Sequence, residues 1–143
     1  EGLALFEEMI EQLPENWDIW YLDYHKNLRR NFGTFMVQQA MHFQKLIGKL
    51  KWSHTVIRNF YARKYRPNLF IAGSHDFSTA YAITDAGAKK LINLQTPIVF
   101  CTENLLSHAC TNAIAEGYVS VPKVFLRESY LQDKKNKAVY VDE

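Results

Sequence analysis

The stretch Trp17-Asp18-Ile19-Trp20-Tyr21-Leu22 limits the folds open to this chain more than any other. Aromatic and branched residues in such density favour a buried strand. A segment of the other period comes just before it. Leu3, Leu5, Phe6, Met9, Ile10 and Leu13 recur at helical spacing, Glu7, Glu8 and Glu11 lie opposite, and Pro14 and Asn16 stop the run. Helix, short turn, strand is the rhythm of an α/β protein. Ligands of open α/β sheets gather beyond the C-terminal ends of the strands. Asp23, Tyr24 and His25 occupy such a place, so Asp23 and His25 are candidate substrate contacts.

The rhythm continues. His25 to Gly33 reads as a loop, and Phe35, Met36, Ala40, Phe43, Ile47 and Leu50 predict an amphipathic helix. From Trp52 to Tyr65 the pattern fits a short helix capped by Ser53 nearly as well as a strand. Pro67 breaks it, and Leu69 to Ala72 reads as a strand before Gly73. Thr79 to Ile83 is a predicted strand. Thr84 or Asp85 then caps a helix with Ala88, Leu91 and Ile92 on one side and Lys89 and Lys90 on the other. Pro97 to Phe100 is apolar and extended. Thr102 is an N-cap candidate for a helix through Leu105, Leu106, Ala109 and Ile114 to a C-cap at Gly117. Val119 to Phe125 is a last strand, placed at an edge by Pro122.

The sequence has 143 residues, 48% of them hydrophobic, which suits one domain with a substantial core and excludes a disordered chain. We expect that domain over residues 1–131, followed by a polar tail over 132–143. No apolar run approaches the roughly 18–20 residues of a membrane span. The start carries neither an initiator Met nor a basic signal-peptide region. Cys101 and Cys110 fit no metal spacing and are expected as free thiols in or near a core, which suits a reducing, cytoplasmic setting.

The net charge of +2 conceals segregation. Residues 1–23 hold seven acids and no Lys or Arg, residues 24–70 hold ten bases and no acid, and residues 71–143 hold eight acids and seven bases. The middle third should present a positive face that attracts anions. Its bases serve either an anionic ligand or a solvated face balanced by the acidic N-terminal helix. Arg29 and Arg30, close to a strand end, and Arg63, Lys64 and Arg66, near Pro67, are the candidates for an anionic ligand, with Arg29, Arg30 and Arg66 as candidate substrate contacts. An anionic inner-membrane surface is a further partner that such a face could touch peripherally. Trp52, Phe60, Tyr61 and Tyr65 lie in the same third, but the balanced total charge and the lack of a known motif lead us to expect no nucleic-acid partner.

Two segments together carry a resemblance. Glu15 to Leu22 (ENWDIWYL) and Ser78 to Leu91 (STAYAITDAGAKKL), the latter followed by Pro97-Ile98, resemble glycosyltransferase family 25, the lipopolysaccharide-biosynthesis and collagen-galactosyltransferase group. The resemblance spans roughly residues 3–126 and is strongest over 78–98. It implies a GT-A-like fold with a mixed sheet and flanking helices. It also implies a UDP-hexose donor (galactose or glucose), a glycan acceptor such as lipopolysaccharide, and a divalent metal, usually Mn2+. The family's Asp-x-Asp or Glu-Asp-Asp motif, and the nucleotide-binding half that carries it, do not occur in this sequence. The resemblance therefore implies an acceptor-side portion whose main metal ligands lie elsewhere. The alternative is a non-catalytic module that binds a glycan or another anion.

Glycosyl transfer needs neutralisation of the leaving diphosphate, a base for the acceptor hydroxyl, and groups that hold the sugar. By its place in the resemblance Glu103 is a candidate base, standing where the family tends to have Asp; it is equally a first-turn carboxylate facing the helix dipole. Asp76, in the polar loop Gly73-Ser74-His75-Asp76, is the other candidate catalytic residue, although an ordinary turn explains it too. Ser74, Thr79 and Tyr81 are candidate substrate contacts, and His75 is a candidate metal ligand by analogy with C-terminal histidines of GT-A enzymes. The structural alternatives are a core position for Tyr81 and a structural role for His42.

Overall fold

A computed structural model of the chain describes residues 2–24, 30–75 and 79–125. The elements run α1 (Gly2–Ile10), β1 (Ile19–Asp23), α2 (Phe32–Leu46), α3 (His54–Asn59), β2 (Arg63–Arg66), β3 (Leu69–Ile71), β4 (Ala80–Ile83), α4 (Asp85–Leu94), α5 (Thr102–Thr111) and β5 (Gly117–Ser120). The strands form one mixed, open sheet in the order β2-β3-β5-β1-β4. Only β1 and β5 run parallel; β1–β4, β2–β3 and β3–β5 are antiparallel. The expected α/β architecture with a mixed sheet and flanking helices is what the chain adopts.

All five residues of β1 are buried, as expected of a central strand. Its side chains alternate between two cores. Ile19 and Tyr21 join Val119, Leu91, Leu105, Leu106, Ala109 and Cys110 beneath α4 and α5. Trp20 and Leu22 join Met9, Leu69, Tyr118 and Val124 beneath α1. Phe6 of α1 stacks on Trp20 with centroids 5.0 Å apart. The Trp20 indole, itself fully buried, donates to Ser120 Oγ at 2.7 Å, so β1 and β5 are joined by a side-chain bond as well as by their ladder.

Several expectations on local structure hold. Ser53 Oγ accepts from Val56 N at 3.1 Å and starts α3. The ambiguous segment from Trp52 to Tyr65 is thus helix first and strand β2 after. Thr84, not Asp85, caps α4, its hydroxyl accepting from Gly87 N at 3.0 Å. Pro67-Asn68 forms the tight link of the β2–β3 hairpin, with Asn68 at φ 62° in the position a type II turn reserves for a left-handed residue.

Others need correction. α5 is capped by Cys101, without a side-chain bond, rather than by Thr102, and it ends at Thr111 rather than running on to Gly117. Ala113 takes a left-handed φ of 56°, and the bonds Ala113 N to Cys110 O (3.1 Å) and Ile114 N to Ala109 O (2.9 Å) close the helix. Gly117 instead opens β5, where a Cβ would run into the Cys110 sulfur. β5 is not an edge strand but lies between β3 and β1; Pro122 lies two residues past its last residue, Ser120, and so removes no ladder bond. Pro97 to Phe100 joins no strand. Gln95 Oε1 holds this segment by accepting from Val99 N (3.3 Å) and Phe100 N (3.0 Å). Of the two thiols Cys110 is buried and Cys101 is exposed.

α2 is the outlier in packing. It docks on α3 through polar groups: Gln38 Nε2 donates to Ile57 O (2.6 Å) and Arg58 O (3.0 Å), and His42 and His54 meet Nδ1 to Nδ1 at 3.1 Å. Of the predicted apolar face, Met36, Ala40, Phe43 and Ile47 are exposed, and only Phe35 and Leu50 are half-buried.

Candidate functional site

The loop from α4 to α5, α3 with its flanking Trp52 and Phe60, the turn after β3 and the outer face of α5 line an open cleft of about 270 Å3. α5 contributes Asn104, Ser107, His108 and Thr111, spaced i, i+3, i+4 and i+7, which places all four on one face. Trp52, Val56 and Phe60 come from the α3 side, Phe100 from the loop, and Ser74 from the turn after β3. The aromatic walls are paired. Trp52 stacks on Phe60 at 5.3 Å between centroids, and Phe100 stacks on His108 at 4.8 Å. Between them Ser74 Oγ and Ser107 Oγ lie 3.0 Å apart. His108 Nδ1 is 3.2 Å from Asn112 Nδ2, which as an amide donor leaves that ring nitrogen an acceptor.

Flat apolar rings beside hydroxyl and amide groups suit a ligand with C–H faces and equatorial hydroxyls. The cleft falls just below the roughly 300–1,000 Å3 of sites for drug-sized ligands, which matches one sugar ring better than a whole nucleotide sugar.

Of the candidate residues, Ser74 lines this cleft. Glu103 stands at the second position of α5, half-buried, directly before Asn104 and one turn before Ser107, but is not among the residues that line the cleft. Asp76, His25 and Arg29 lie outside the described residues, as does the tail 132–143.

The remaining candidates are dispersed. Asp23 ends β1, almost fully buried, with its carboxylate 3.0 Å from Lys123 Nζ, and that ammonium also sits 5.0 Å over the Tyr24 ring. His75 is buried beside Tyr21 and Tyr24, and its Nε2 accepts from Gly73 N at 3.2 Å. Thr79 is exposed just before β4, and Tyr81, on that edge strand, is 37% exposed rather than in the core. The Arg30 guanidinium lies over Phe35 and that of Arg66 over Tyr65, both at the surface.

Among the described residues no three of His, Cys, Asp and Glu come together as a metal ion would require. Nor is any helix among them long and apolar enough to cross a membrane.

The sequence reading missed Asn104, Ser107, His108, Thr111 and Phe100. The signal for the first four was present as polar residues at helical spacing opposite Leu105, Leu106 and Ala109. Their convergence with Trp52 and Ser74 depends on contacts between segments far apart in the chain. Comparison with family models, with curated proteins and with solved structures finds no match to this chain.

Proposed function

We propose that the chain is the acceptor-side portion of a sugar transferase of the family 25 type, with a GT-A-like fold, acting from a UDP-hexose onto a glycan. The supporting observation is the cleft with two stacked aromatic walls and a hydroxyl- and amide-bearing face on α5. On this reading Trp52 and Phe100 take the apolar faces of an acceptor sugar. Ser74, Asn104 and Ser107 bond its hydroxyls. Glu103, beside Asn104 and one turn before Ser107 on α5, accepts the proton of the attacking hydroxyl. The leaving diphosphate is stabilised by groups beyond those described. The resemblance of residues 15–22 and 78–91 to the family supplies the reaction class; the cleft supplies the ligand class.

The test is saturation-transfer NMR with lactose as the probe. We expect transfer to the sugar protons, strongly reduced in Trp52→Ala and in Phe100→Ala. An intact fold with no transfer to lactose, or to glucose and galactose singly, overturns the reading. Saccharide binding by a protein that carries this chain, without hexosyl transfer from UDP-galactose or UDP-glucose in the presence of Mn2+, would make the site a binding module instead.

A further inference from the structure

A second cavity, of about 180 Å3, opens at the other end of the α3–α5 contact. Its charged and amide-bearing walls are Arg58, Asn59, Arg63 and Glu116. Ala72, Ala113, Ala115 and Gly117 line the rest together with Ile71 and Cys110. Asn59 joins it to the cleft: its Nδ2 donates to Thr111 O at 3.2 Å, and Thr111 lines the cleft.

The charges in this cavity are unbalanced. Arg63 is half-buried on β2, and one of its nitrogens donates to Asn59 Oδ1 at 3.2 Å. A guanidinium carries five N–H donors in a planar fork. Among the described residues no carboxylate lies within ion-pair distance of Arg30, Arg58 or Arg63. Burial, then the neighbouring Arg58 and Arg30 charges, hold the Arg63 pKa below its ordinary value, and only Glu116 opposes them. Arg58 and Arg63 thus line the cavity with Glu116 as the one carboxylate in its lining, and Arg30 acts on Arg63 from outside that lining.

We propose that this cavity binds a phosphate monoester, with the Arg63 and Arg58 guanidiniums gripping the phosphoryl oxygens and Arg30 adding to the field. Arg forks match two phosphate oxygens at once, which a Lys ammonium does not. The Glu116 carboxylate selects what carries the phosphate. It repels a bare anion but accepts a hydrogen bond from a hydroxyl next to a phosphoester, so the ligand class is a sugar phosphate. The anion site stands on the cavity alone. Only the idea that the phosphate belongs to the acceptor glycan rests on the proposed function.

Isothermal titration with glucose 6-phosphate, inorganic phosphate, glucose and UDP tests it. We expect glucose 6-phosphate to bind saturably and more tightly than inorganic phosphate, any glucose binding to be the same in Arg63→Gln as in the wild type, and affinity for glucose 6-phosphate to fall with added salt. Arg63→Gln and the exposed Arg58→Gln should each weaken glucose 6-phosphate at least tenfold. Arg63→Lys should keep the charge, lose the fork and weaken it several-fold. The exposed Lys89→Gln on α4, which lines neither cavity, should leave it unchanged. No saturable binding, or binding indifferent to both glutamine variants with the fold intact, overturns the proposal. UDP bound more tightly than glucose 6-phosphate assigns the cavity to a diphosphate and overturns the monoester. Loss of lactose binding in the cleft with glucose 6-phosphate binding retained bears on the proposed function alone.

Discussion

Lys90 Nζ lies 2.5 Å from Asp18 Oδ2, joining residues 72 positions apart. The same carboxylate oxygen accepts from Glu116 N at 2.8 Å, and Asp18 O accepts from Thr84 N at 3.0 Å. Asp18 therefore ties β1, α4 and the start of β5 together. The two sequence segments that carry the family resemblance, one holding Asp18 and the other Thr84 and Lys90, meet at this point.

The burial of the pair is asymmetric: the Asp18 side chain is 3% exposed and that of Lys90 is 42% exposed. Removing the lysine strands a buried carboxylate, whereas removing the acid frees an ammonium that water can reach. Breaking a fully buried pair costs about 3–5 kcal/mol, and the exposure of Lys90 puts this one below that range. We expect Lys90→Met to lower stability by about 2 kcal/mol. Asp18→Asn keeps an acceptor for Glu116 N, so it should lose about 1 kcal/mol. Urea denaturation of both variants measures the order, and a larger loss for Asp18→Asn would contradict it.

Gly87 sits in the first turn of α4 because the helix rides directly on β1. A Cβ there would lie 2.5 Å from Asp18 O, a backbone atom that cannot swing aside. Alanine is favoured over glycine inside a helix by about 1 kcal/mol, but forcing an atom into a packed contact costs about 1–3 kcal/mol. The clash is with main chain, so the second effect wins. Gly87→Ala should lower the thermal midpoint despite its better helix propensity, and a raised midpoint would show that α4 can lift off the strand.

The α/β class, the buried β1 strand and the caps at Ser53 and Thr84 are legible because each depends on residues within one turn of another. The sheet order is not. Pro122 suggests an edge for the last strand, yet β5 is central because its ladder ends at Ser120 before the proline matters. The end of α5 is misread for a related reason. Gly117 is the nearest glycine, but the chain reverses at Ala113, a residue type with no left-handed preference. On α2 the apolar stripe is legible and its orientation is not, since Gln38 and His42 anchor the polar side to α3. Among the cavity arginines, Arg63 is legible as an anion candidate in the acid-free basic third; that Arg58 shares its wall is not, since a helix and a strand bring the two together.

The thiols should separate kinetically. Cys101 is exposed, while burial pushes the Cys110 pKa up from 9.0 to about 12, against a smaller lowering by the Tyr21 hydroxyl. Only the thiolate reacts, so a thiol reagent at neutral pH should label Cys101 quickly and Cys110 only on unfolding. The same shift sets an alkaline limit. Above pH 9.0 the unfolded chain releases the Cys110 proton and the folded chain keeps it until about 12. Stability from this group is therefore complete below the unfolded pKa and falls as pH rises, by at most about 1.4 kcal/mol per pH unit. Cys110→Ala should flatten that slope in pH-dependent denaturation.

Glu103 distinguishes a chemical role from a structural one. As a first-turn carboxylate it interacts with the α5 dipole by about 0.3–1 kcal/mol, so Glu103→Gln should move the thermal midpoint little. If it takes the acceptor proton, the same variant should lower transfer about 100-fold or more in a protein that carries this chain, with acceptor affinity kept. An unchanged rate would leave the dipole as its only role.

Ala113 offers the clearest route to a more stable chain. It holds φ at 56° at the residue that closes α5, a conformation that costs an L-residue about 1–2 kcal/mol. Glycine removes that strain but has more freedom to lose on folding, about 0.5–1 kcal/mol. The bonds from Ala113 N and Ile114 N back into the helix use only main-chain atoms and survive the change. Ala113→Gly should therefore gain about 0.5–1 kcal/mol, read as a higher urea midpoint with an unchanged slope. Ala113→Val, β-branched and poorly suited to positive φ, should lose stability at the same site. If glycine and valine shift the midpoint in the same direction, strain at this turn is not what limits the helix end.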